Sequence, residues 1–260
     1  MTGKVRTLIV LAPGTNCDAE TEFAFQQAGA ATFPVHIGEL IRGEERLSDY
    51  QIMVIPGGFT YGDDVSAGKV LANELRLKLG GAIKDFVRWG GLVLGICNGF
   101  QVLVKAGILP DLSRGEPGLT LSVNDSGRFE CRWVYLKVNR KSPCVFTAGM
   151  GRLYLPVAHG EGKVIAAPRT LSDLSESQRV VLRYTDEAGN AAAGYPYNPN
   201  GSVANIAGIC DASGRIFALM PHPERHIQGT QHPRWTGEGA KESGDGLQIF
   251  INAVEWARRI

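Results

Sequence analysis

The residue with the clearest chemical potential is a cysteine that follows an apolar segment. Residues 92–96 (LVLGI) are apolar, Cys97 comes next, and Gly95 and Gly99 lie two positions before and after it. A nucleophile on a sharp strand-to-helix turn requires small residues at these positions, because larger side chains would collide there. The turn also places the sulfur at a helix N-terminus, where free N–H groups and the helix dipole favour the thiolate. We predict that Cys97 is a catalytic nucleophile; the alternative is a buried cysteine between two packing glycines.

A thiol nucleophile needs an imidazole within hydrogen-bond reach and a third group that orients the imidazole. The apolar run 216–220 leads into Pro221-His222-Pro223-Glu224. Each proline disfavours helical backbone in the residue before it, so this segment is expected to be extended. His222 and Glu224 then project to the same side, about 6.6 Å apart along the chain. The spacing predicts a Cys97–His222–Glu224 triad; the alternative for His222 is a solvent-facing turn.

Acyl chemistry also needs N–H donors at the position where an oxyanion forms. Gly57, Gly58 and Phe59 follow the apolar segment 51–55 and are predicted to supply such donors, since glycine lets the backbone approach a substrate closely. The N–H of Asn98 is predicted as a second donor. A simple strand-ending turn is the alternative for the glycines. His159, just before Gly160, could line a pocket or lie in an ordinary turn.

The other histidines and cysteines carry weaker signals. His36, His226 and His232 are expected in surface or loop positions. Structural or inert roles are expected for four of the five cysteines, namely Cys17, Cys131, Cys144 and Cys210. The odd count and the absence of CxxC spacing argue against a disulfide framework or a structural zinc site. A reducing cytoplasm is therefore the predicted location.

Apolar segments that alternate with helical patterns fill the first half of the chain and predict a buried parallel sheet. The predicted strands there are residues 5–12, 31–37, 51–55 and 92–96, and the predicted helices are 18–29, 67–90 and 98–106. From about residue 110 the segments favour a partly antiparallel arrangement. The strands predicted in that half are 130–138, 152–158, 163–167, 179–185, 203–210 and 215–220, followed by a closing helix over 246–259. We predict one three-layer α/β domain over residues 1–260, with a mostly parallel sheet and an antiparallel β extension in its second half.

Composition excludes several classes of function. The 260 residues carry 27 Lys and Arg against 26 Asp and Glu, a net charge of +1, which gives no electrostatic reason to bind nucleic acid or an anionic membrane. No apolar stretch reaches the ~18 residues that a membrane span requires. The chain has no GxxxxGK[ST] phosphate loop and no carboxylate pair in a clear metal motif. The sequence therefore predicts thiol-based acyl transfer without a metal or cofactor on this chain.

These segments together resemble a known family. The GxCxGxQ turn with a distal HxE is similar to the class I (triad) glutamine amidotransferases. Within that family, the match is closest to the glutaminase subunits of phosphoribosylformylglycinamidine synthases, enzymes of purine biosynthesis. The segments that carry this resemblance are PGGFTYGDD (56–64), GICNGFQVL (95–103), NDSGRFECRWV (124–134), PVAHGEGK (156–163) and MPHPER (220–225).

The resemblance implies a flavodoxin-like fold and a defined reaction. Cys97 would attack the side-chain amide of glutamine, and His222, oriented by Glu224, would handle the protons. Gln101 would contact the α-amino or carboxylate group of glutamine, with help from Gly160 and its neighbours. The ammonia would pass to a separate synthetase subunit that uses ATP and Mg²⁺. A small third subunit is usual where the glutaminase is a separate chain.

Two other functions remain open at this point. One is a different cysteine hydrolase or chaperone-like protein of the same fold, although such relatives tend to have histidine where this chain has Asn98. The other is a non-catalytic regulatory subunit, against which the intact triad argues. The segment 226–245 is expected to be a solvated loop, and the alternative is that His232 and Trp235 dock a partner.

Overall fold

The structure is a computed structural model that describes residues 3–113, 118–239 and 241–260; residues 1, 2, 114–117 and 240 of the predicted domain lie outside this description. Within the described ranges the strands are β1 (Arg6–Leu11), β2 (Ala31–His36), β3 (Ile52–Ile55), β4 (Leu92–Ile96), β5 (Leu119–Val123), β6 (Glu130–Val138), β7 (Arg152–His159), β8 (Glu161–Ala166), β9 (Val180–Thr185), β10 (Ile206–Cys210) and β11 (Ile216–Leu219). Nine of them form one sheet in the order β2-β1-β3-β4-β11-β10-β9-β6-β7, and β5 pairs with β8 in a separate sheet.

The large sheet combines a parallel half with an antiparallel half. Strands β2, β1, β3, β4 and β11 run parallel, and β10, β9, β6 and β7 continue the sheet in antiparallel pairs. Every residue of β3, β4 and β11 is buried, as expected for strands covered on both faces. The predicted α/β sheet with an antiparallel extension is confirmed. Because β11 lies beside β4, the residues after both strands meet at the same edge.

The described ranges contain eight α-helices. They are α1 (Asp18–Gln27), α2 (Ile37–Arg42), α3 (Lys69–Glu74), α4 (Gly80–Arg88), α5 (Asn98–Lys105), α6 (Pro168–Glu176), α7 (Trp235–Glu238) and α8 (Leu247–Ala257). Helices α1 and α8 pack together through an edge-to-face contact of Phe25 and Phe250, whose ring centroids lie 4.9 Å apart. The right-handed connections that parallel strands require place α3 to α5 on the opposite face. No helix of the described chain is long and apolar enough to cross a membrane.

Some predicted elements differ from the observed ones. The helix predicted over 67–90 is divided by a π-helical turn at Leu75–Leu79, which ends at the Gly80-Gly81 pair, where helix propensity is lowest. Helices α2, α6 and α7 and strand β5 were not predicted from the sequence. Helix α2 has only six residues and begins at an unusual cap, in which the His36 ring accepts the Gly38 N–H and the Glu39 carboxylate accepts the His36 N–H.

The two edge strands of the large sheet are protected in different ways. Edge strand β2 contains Pro34, which has no N–H to offer a further strand. At the other edge, the free side of β7 is taken by the segment that follows β11. The Tyr154 N–H donates to the Asp245 carboxylate at 2.9 Å, its carbonyl lies 2.8 Å from His226 Nδ1, and the Pro156 carbonyl accepts the His222 N–H at 2.8 Å.

Candidate active site

Cys97 lies on a strained turn between β4 and α5. Its φ of 51° and ψ of −101° are unusual for a residue with a side chain. A Cβ at Gly99 would lie 2.0 Å from the Ile55 carbonyl oxygen, and one at Gly95 would lie 2.7 Å from the Gly99 carbonyl oxygen. Both glycines are therefore required for β4, β3 and α5 to pack this closely. The sequence predicted this role for the two glycines.

His222 and Glu224 form a buried, hydrogen-bonded pair. The His222 Nδ1 lies 2.5 Å from the Glu224 Oε1, and both side chains are almost completely buried. The His222 Nε2 is also buried and has no hydrogen-bond partner within the described ranges. Glu224 therefore fixes the orientation of the ring and leaves one nitrogen available for chemistry. The HxE spacing predicted this pairing, but the extended backbone expected for the segment was wrong beyond His222: His222 is extended, whereas Pro223–Arg225 form a 3-10 turn.

The charges around His222 favour its protonated form. Burial lowers the pKa of His222, but the Glu224 carboxylate and the Cys97 and Cys17 sulfurs together raise it by more, so that the pKa lies well above its usual value of 6.5. Both thiols lie within interaction distance of the ring. The imidazole can therefore carry a proton at neutral pH and give it to a leaving group.

A second cysteine, Cys17, lies beside the same histidine. Its sulfur accepts a hydrogen bond from the Arg225 guanidinium at 3.0 Å, and its N–H donates to the Gly57 carbonyl at 3.2 Å. The Cys17 sulfur, a ring nitrogen of His222 and a carboxylate oxygen of Glu224 lie within 4.8 Å of one another. Such a set could hold a metal ion, but the adjacent guanidinium repels a cation. A structural or inert role was expected for Cys17, and its position beside His222 was not predicted from the sequence.

The loop after β3 packs tightly against these residues. A Cβ at Gly57 would lie 2.8 Å from His222 Cε1 and 3.1 Å from the Cys17 sulfur. Gly58 has φ 144°, and a Cβ there would lie 2.8 Å from the Gly14 carbonyl oxygen. The Phe59 N–H already donates to that oxygen at 2.9 Å. Gly57 thus makes room for the imidazole, while the predicted donor function of Phe59 does not fit this conformation.

Asn98 and Gln101 connect two loops on either side of Cys97. The Asn98 Oδ1 accepts from the Thr60 hydroxyl at 2.7 Å, and its Nδ2 donates to the Gln101 Oε1 at 2.9 Å. The Gln101 Nε2 donates to the Glu161 carbonyl at 2.5 Å. This chain of hydrogen bonds holds the loop after β3 and the loop after β7 in a fixed relation. Both ends of the Gln101 amide are occupied by protein groups.

A cavity of about 160 Å³ opens beside Cys97 and collects most of the predicted substrate-binding residues. Its walls include Gly58, Phe59, Cys97, Gln101, His159 and Gly160, together with Asp63, Ala67, Phe129, Ala158 and Glu161. The exposed rings of Phe59 and Phe129 stack at a centroid distance of 6.4 Å. Gly57, Asn98, His222 and Glu224 lie outside these walls; Asn98 donates to the wall residue Gln101, and Gly57 directly precedes the wall residue Gly58.

His159 is a buried, neutral member of the cavity wall. Burial, with a smaller contribution from His222, lowers the pKa of His159 to about 3. Its Nδ1 lies 3.1 Å from the Asn124 Oδ1, so the neutral ring donates at Nδ1 and its Nε2 is an acceptor. That Nε2 is buried and has no partner among the described residues. Asn124, which the sequence analysis missed, thus fixes the tautomer.

His226 lies in a loop, one of the two positions expected for it, but it is not on the surface. It is fully buried, and its Nδ1 lies 2.8 Å from the Tyr154 carbonyl. The start of the segment 226–245 is therefore packed against β7, whereas most residues from 230 to 239 are exposed. His36 is exposed, as predicted, and His232 is half-buried against Tyr154 and Trp133.

Comparison with known proteins identifies the family. The model of the CobB/CobQ-like glutamine amidotransferase domain matches residues 4–257. The chain belongs to this glutamine amidotransferase family. A phosphoribosylformylglycinamidine synthase subunit PurQ from Dehalococcoides mccartyi is 59% identical over 257 residues, which cover 99% of each chain. The PurQ subunit of Methanococcus maripaludis is 46% identical, with 96% of this chain and 97% of the relative covered.

A solved structure supports the same relationship. The structure of PurLQS from Thermotoga maritima contains a chain that matches with a TM-score of 0.74 and 32% identity, covering 98% of this chain and 99% of that one. A glutamine amidotransferase from Thermotoga maritima shares the fold at a TM-score of 0.55 and 16% identity. The amidotransferase chemistry inferred from Cys97 thus agrees with the family.

Proposed function

We propose that this glutamine amidotransferase is the glutaminase subunit of a phosphoribosylformylglycinamidine synthase. The observation that carries the proposal is the buried His222–Glu224 pair beside Cys97, at the edge where β4 and β11 both end. The 59% identity to a PurQ subunit over nearly the whole chain supports the assignment to this synthase rather than to another amidotransferase.

In the proposed reaction, the Cys97 sulfur attacks the side-chain amide carbon of glutamine and forms a C–S bond. His222 gives a proton to the amide nitrogen, the C–N bond breaks, and ammonia leaves a γ-glutamyl thioester. A water molecule then attacks the thioester carbon and gives a proton to His222. The C–S bond breaks, glutamate leaves, and Cys97 is regenerated. Glu224 keeps the ring oriented through both proton transfers.

The cavity walls and the neighbouring Asn98 are proposed to supply the remaining interactions with glutamine. The N–H groups of Gly58 and Asn98 are the proposed oxyanion donors, each contributing about 3 kcal/mol to the transition state. The His159 Nε2, held as an acceptor by Asn124, can receive a hydrogen bond from the ammonium or amide group of glutamine. Gly160 borders the same space, and Gln101 holds the two loops that enclose it.

Ammonia needs an acceptor, so the proposal includes partner subunits. We infer that a synthetase subunit binds ATP and Mg²⁺, activates formylglycinamide ribonucleotide and receives the ammonia, and that a small third subunit completes the complex in the cytoplasm. The similarity to a chain of PurLQS supports a multisubunit arrangement. This chain is proposed to need no cofactor or metal of its own.

The test is to follow glutamate release and covalent labelling together. An electrophilic glutamine analogue should add once to the wild-type chain, at Cys97, in the presence of the synthetase subunit. Cys97→Ala should lose both labelling and glutamine-dependent synthesis while retaining synthesis driven by added ammonia. Cys131→Ala is the matched control, because Cys131 is the exposed cysteine on the outer side of β6 and its loss should change neither readout. Full glutamine-dependent activity in Cys97→Ala would refute the proposal.

A further inference from the structure

Three basic side chains form a row across the antiparallel half of the sheet. Lys137 on β6 lies directly opposite Arg152 on β7 and directly opposite Arg183 on β9. Residues directly opposite in neighbouring strands share one face of a sheet. The flanking residues Leu136 and Val138 are buried, whereas Lys137 and Arg152 are exposed. The row therefore lies on the outer face of the sheet.

A bound anion would relieve the repulsion within this row. Like charges directly opposite each other destabilise a sheet. Within the described ranges, Lys137, Arg152 and Arg183 form no ion pair with a carboxylate; Arg152 donates to the Glu187 carbonyl and Arg183 to the Ala204 carbonyl. Burial lowers the pKa of Arg183, and no acidic group offsets this effect. The backbone carbonyls satisfy hydrogen bonds but do not balance three positive charges.

The row borders a groove that has the size of a ligand site. The groove has a volume of about 790 Å³. It is lined by the three residues of the row and by Arg140 and Lys141, and its lining includes no acidic residue. Small-molecule sites usually enclose about 300–1,000 Å³. The Arg140 guanidinium lies over Gly151, where a Cβ would come within 2.9 Å of its Nη2. Gly151 therefore leaves space for Arg140 beside the row.

The groove is separate from the cysteine site. Glu130, at the start of β6, pairs with His159 of the active-site cavity, whereas Lys137 is seven residues further along the same strand. At about 3.3 Å per residue, the two places are roughly 23 Å apart. A ligand in this groove therefore cannot touch the atoms that react with glutamine.

We propose that the groove binds the oligophosphate group of a small molecule. The three strands are about 4.8 Å apart, so the row spans about 10 Å, and a triphosphate chain can reach all three cations. Arginine guanidinium groups donate two parallel hydrogen bonds to phosphate oxygens, and lysine adds a compact charge. An acidic segment of a partner protein is the rival occupant, and the experiment separates the two.

The test is isothermal titration calorimetry of the full 260-residue chain at low ionic strength, with sodium triphosphate, ATP, orthophosphate and a poly-glutamate peptide as separate titrants. We expect triphosphate to bind more tightly than orthophosphate. Lys137→Ala should raise the dissociation constant about tenfold, the equivalent of one charge-assisted hydrogen bond. ATP binding more tightly than triphosphate would indicate a nucleotide, and equal affinity would indicate recognition of the phosphate chain alone.

Lys84→Ala is the matched control, since it removes one exposed positive charge from α4, away from the groove. Because Lys137 is exposed, its replacement should leave the fold intact, and thermal melting checks this. Arg152→Ala is the second variant and should weaken binding to a similar extent. Equal triphosphate affinity in wild type, Lys137→Ala and Lys84→Ala would overturn the proposal, as would binding of poly-glutamate without binding of triphosphate.

Discussion

The neutral state of His159 should make the stability of the protein depend on pH in a predictable way. Burial lowers the pKa of His159 to about 3 in the folded chain, against 6.5 for the unfolded reference. Between these values the unfolded state binds more protons than the folded state. The contribution of His159 to stability is therefore fully present above pH ~6.5 and is lost progressively as the pH falls toward ~3.

The size of this loss of stability follows from the folded and unfolded pKa values of His159. One pKa unit corresponds to about 1.36 kcal/mol, and integration from about pH 7 to about pH 5 gives a loss of about 2 kcal/mol from His159. His222 acts in the opposite direction over the same interval. Its pKa is raised, so its contribution is complete below pH ~6.5 and declines as the pH rises. A variant at position 159 separates the two effects.

The perturbation is His159→Gln, which keeps a side-chain donor for the Asn124 Oδ1 and removes the titrating ring. Urea unfolding at about pH 7 and about pH 5 should show that wild type loses about 2 kcal/mol more than the variant between the two conditions. His36→Gln, which removes an exposed imidazole, should retain the wild-type difference. If His159→Gln loses as much stability as wild type on acidification, burial does not hold His159 neutral and the reasoning is wrong.

Two further predictions concern His222. Gly57→Ala places a Cβ 2.8 Å from His222 Cε1. It should lower the kcat/KM for glutamine by about 10- to 100-fold, because small displacements of a catalytic group are costly. Gly81→Ala is the control, since its Cβ would meet no atom within 4 Å, and it should leave the kinetics unchanged. Glu224→Gln removes the charge that raises the pKa of His222 and leaves burial, which lowers it. The ring should then titrate at lower pH in an NMR experiment, and activity should fall on the order of 10³-fold; an unchanged titration would contradict the assigned electrostatics.

The features that could be predicted from the sequence are those that depend on residues close together in the chain. Gly95, Cys97 and Gly99 lie within one turn, and a single packing argument predicts their geometry. His222 lies between Pro221 and Pro223 and Glu224 follows directly, so their pairing was also predicted from nearby residues. The alternation of apolar segments with helical patterns predicted the parallel half of the sheet for the same reason.

The residues that the sequence analysis missed depend on distant partners. Cys17 contacts Arg225 across 208 positions, and Asn124 holds His159 across 35. His226 lies between Arg225 and Ile227 in a segment without a strand or helix pattern, and it is buried where this segment packs against the free side of β7. The residues next to these positions do not predict such contacts, because the contacts form only when distant segments of the chain pack together.

The protection of both sheet edges limits how this molecule can assemble with others. Pro34 interrupts the outer side of β2, and the peptide groups of β7 at Tyr154 and Pro156 are occupied by Asp245, His226 and His222. Another chain cannot extend the sheet by adding a strand at either of these positions. At these positions another subunit can contact the molecule only through side chains, and the nine-stranded sheet ends within this one polypeptide.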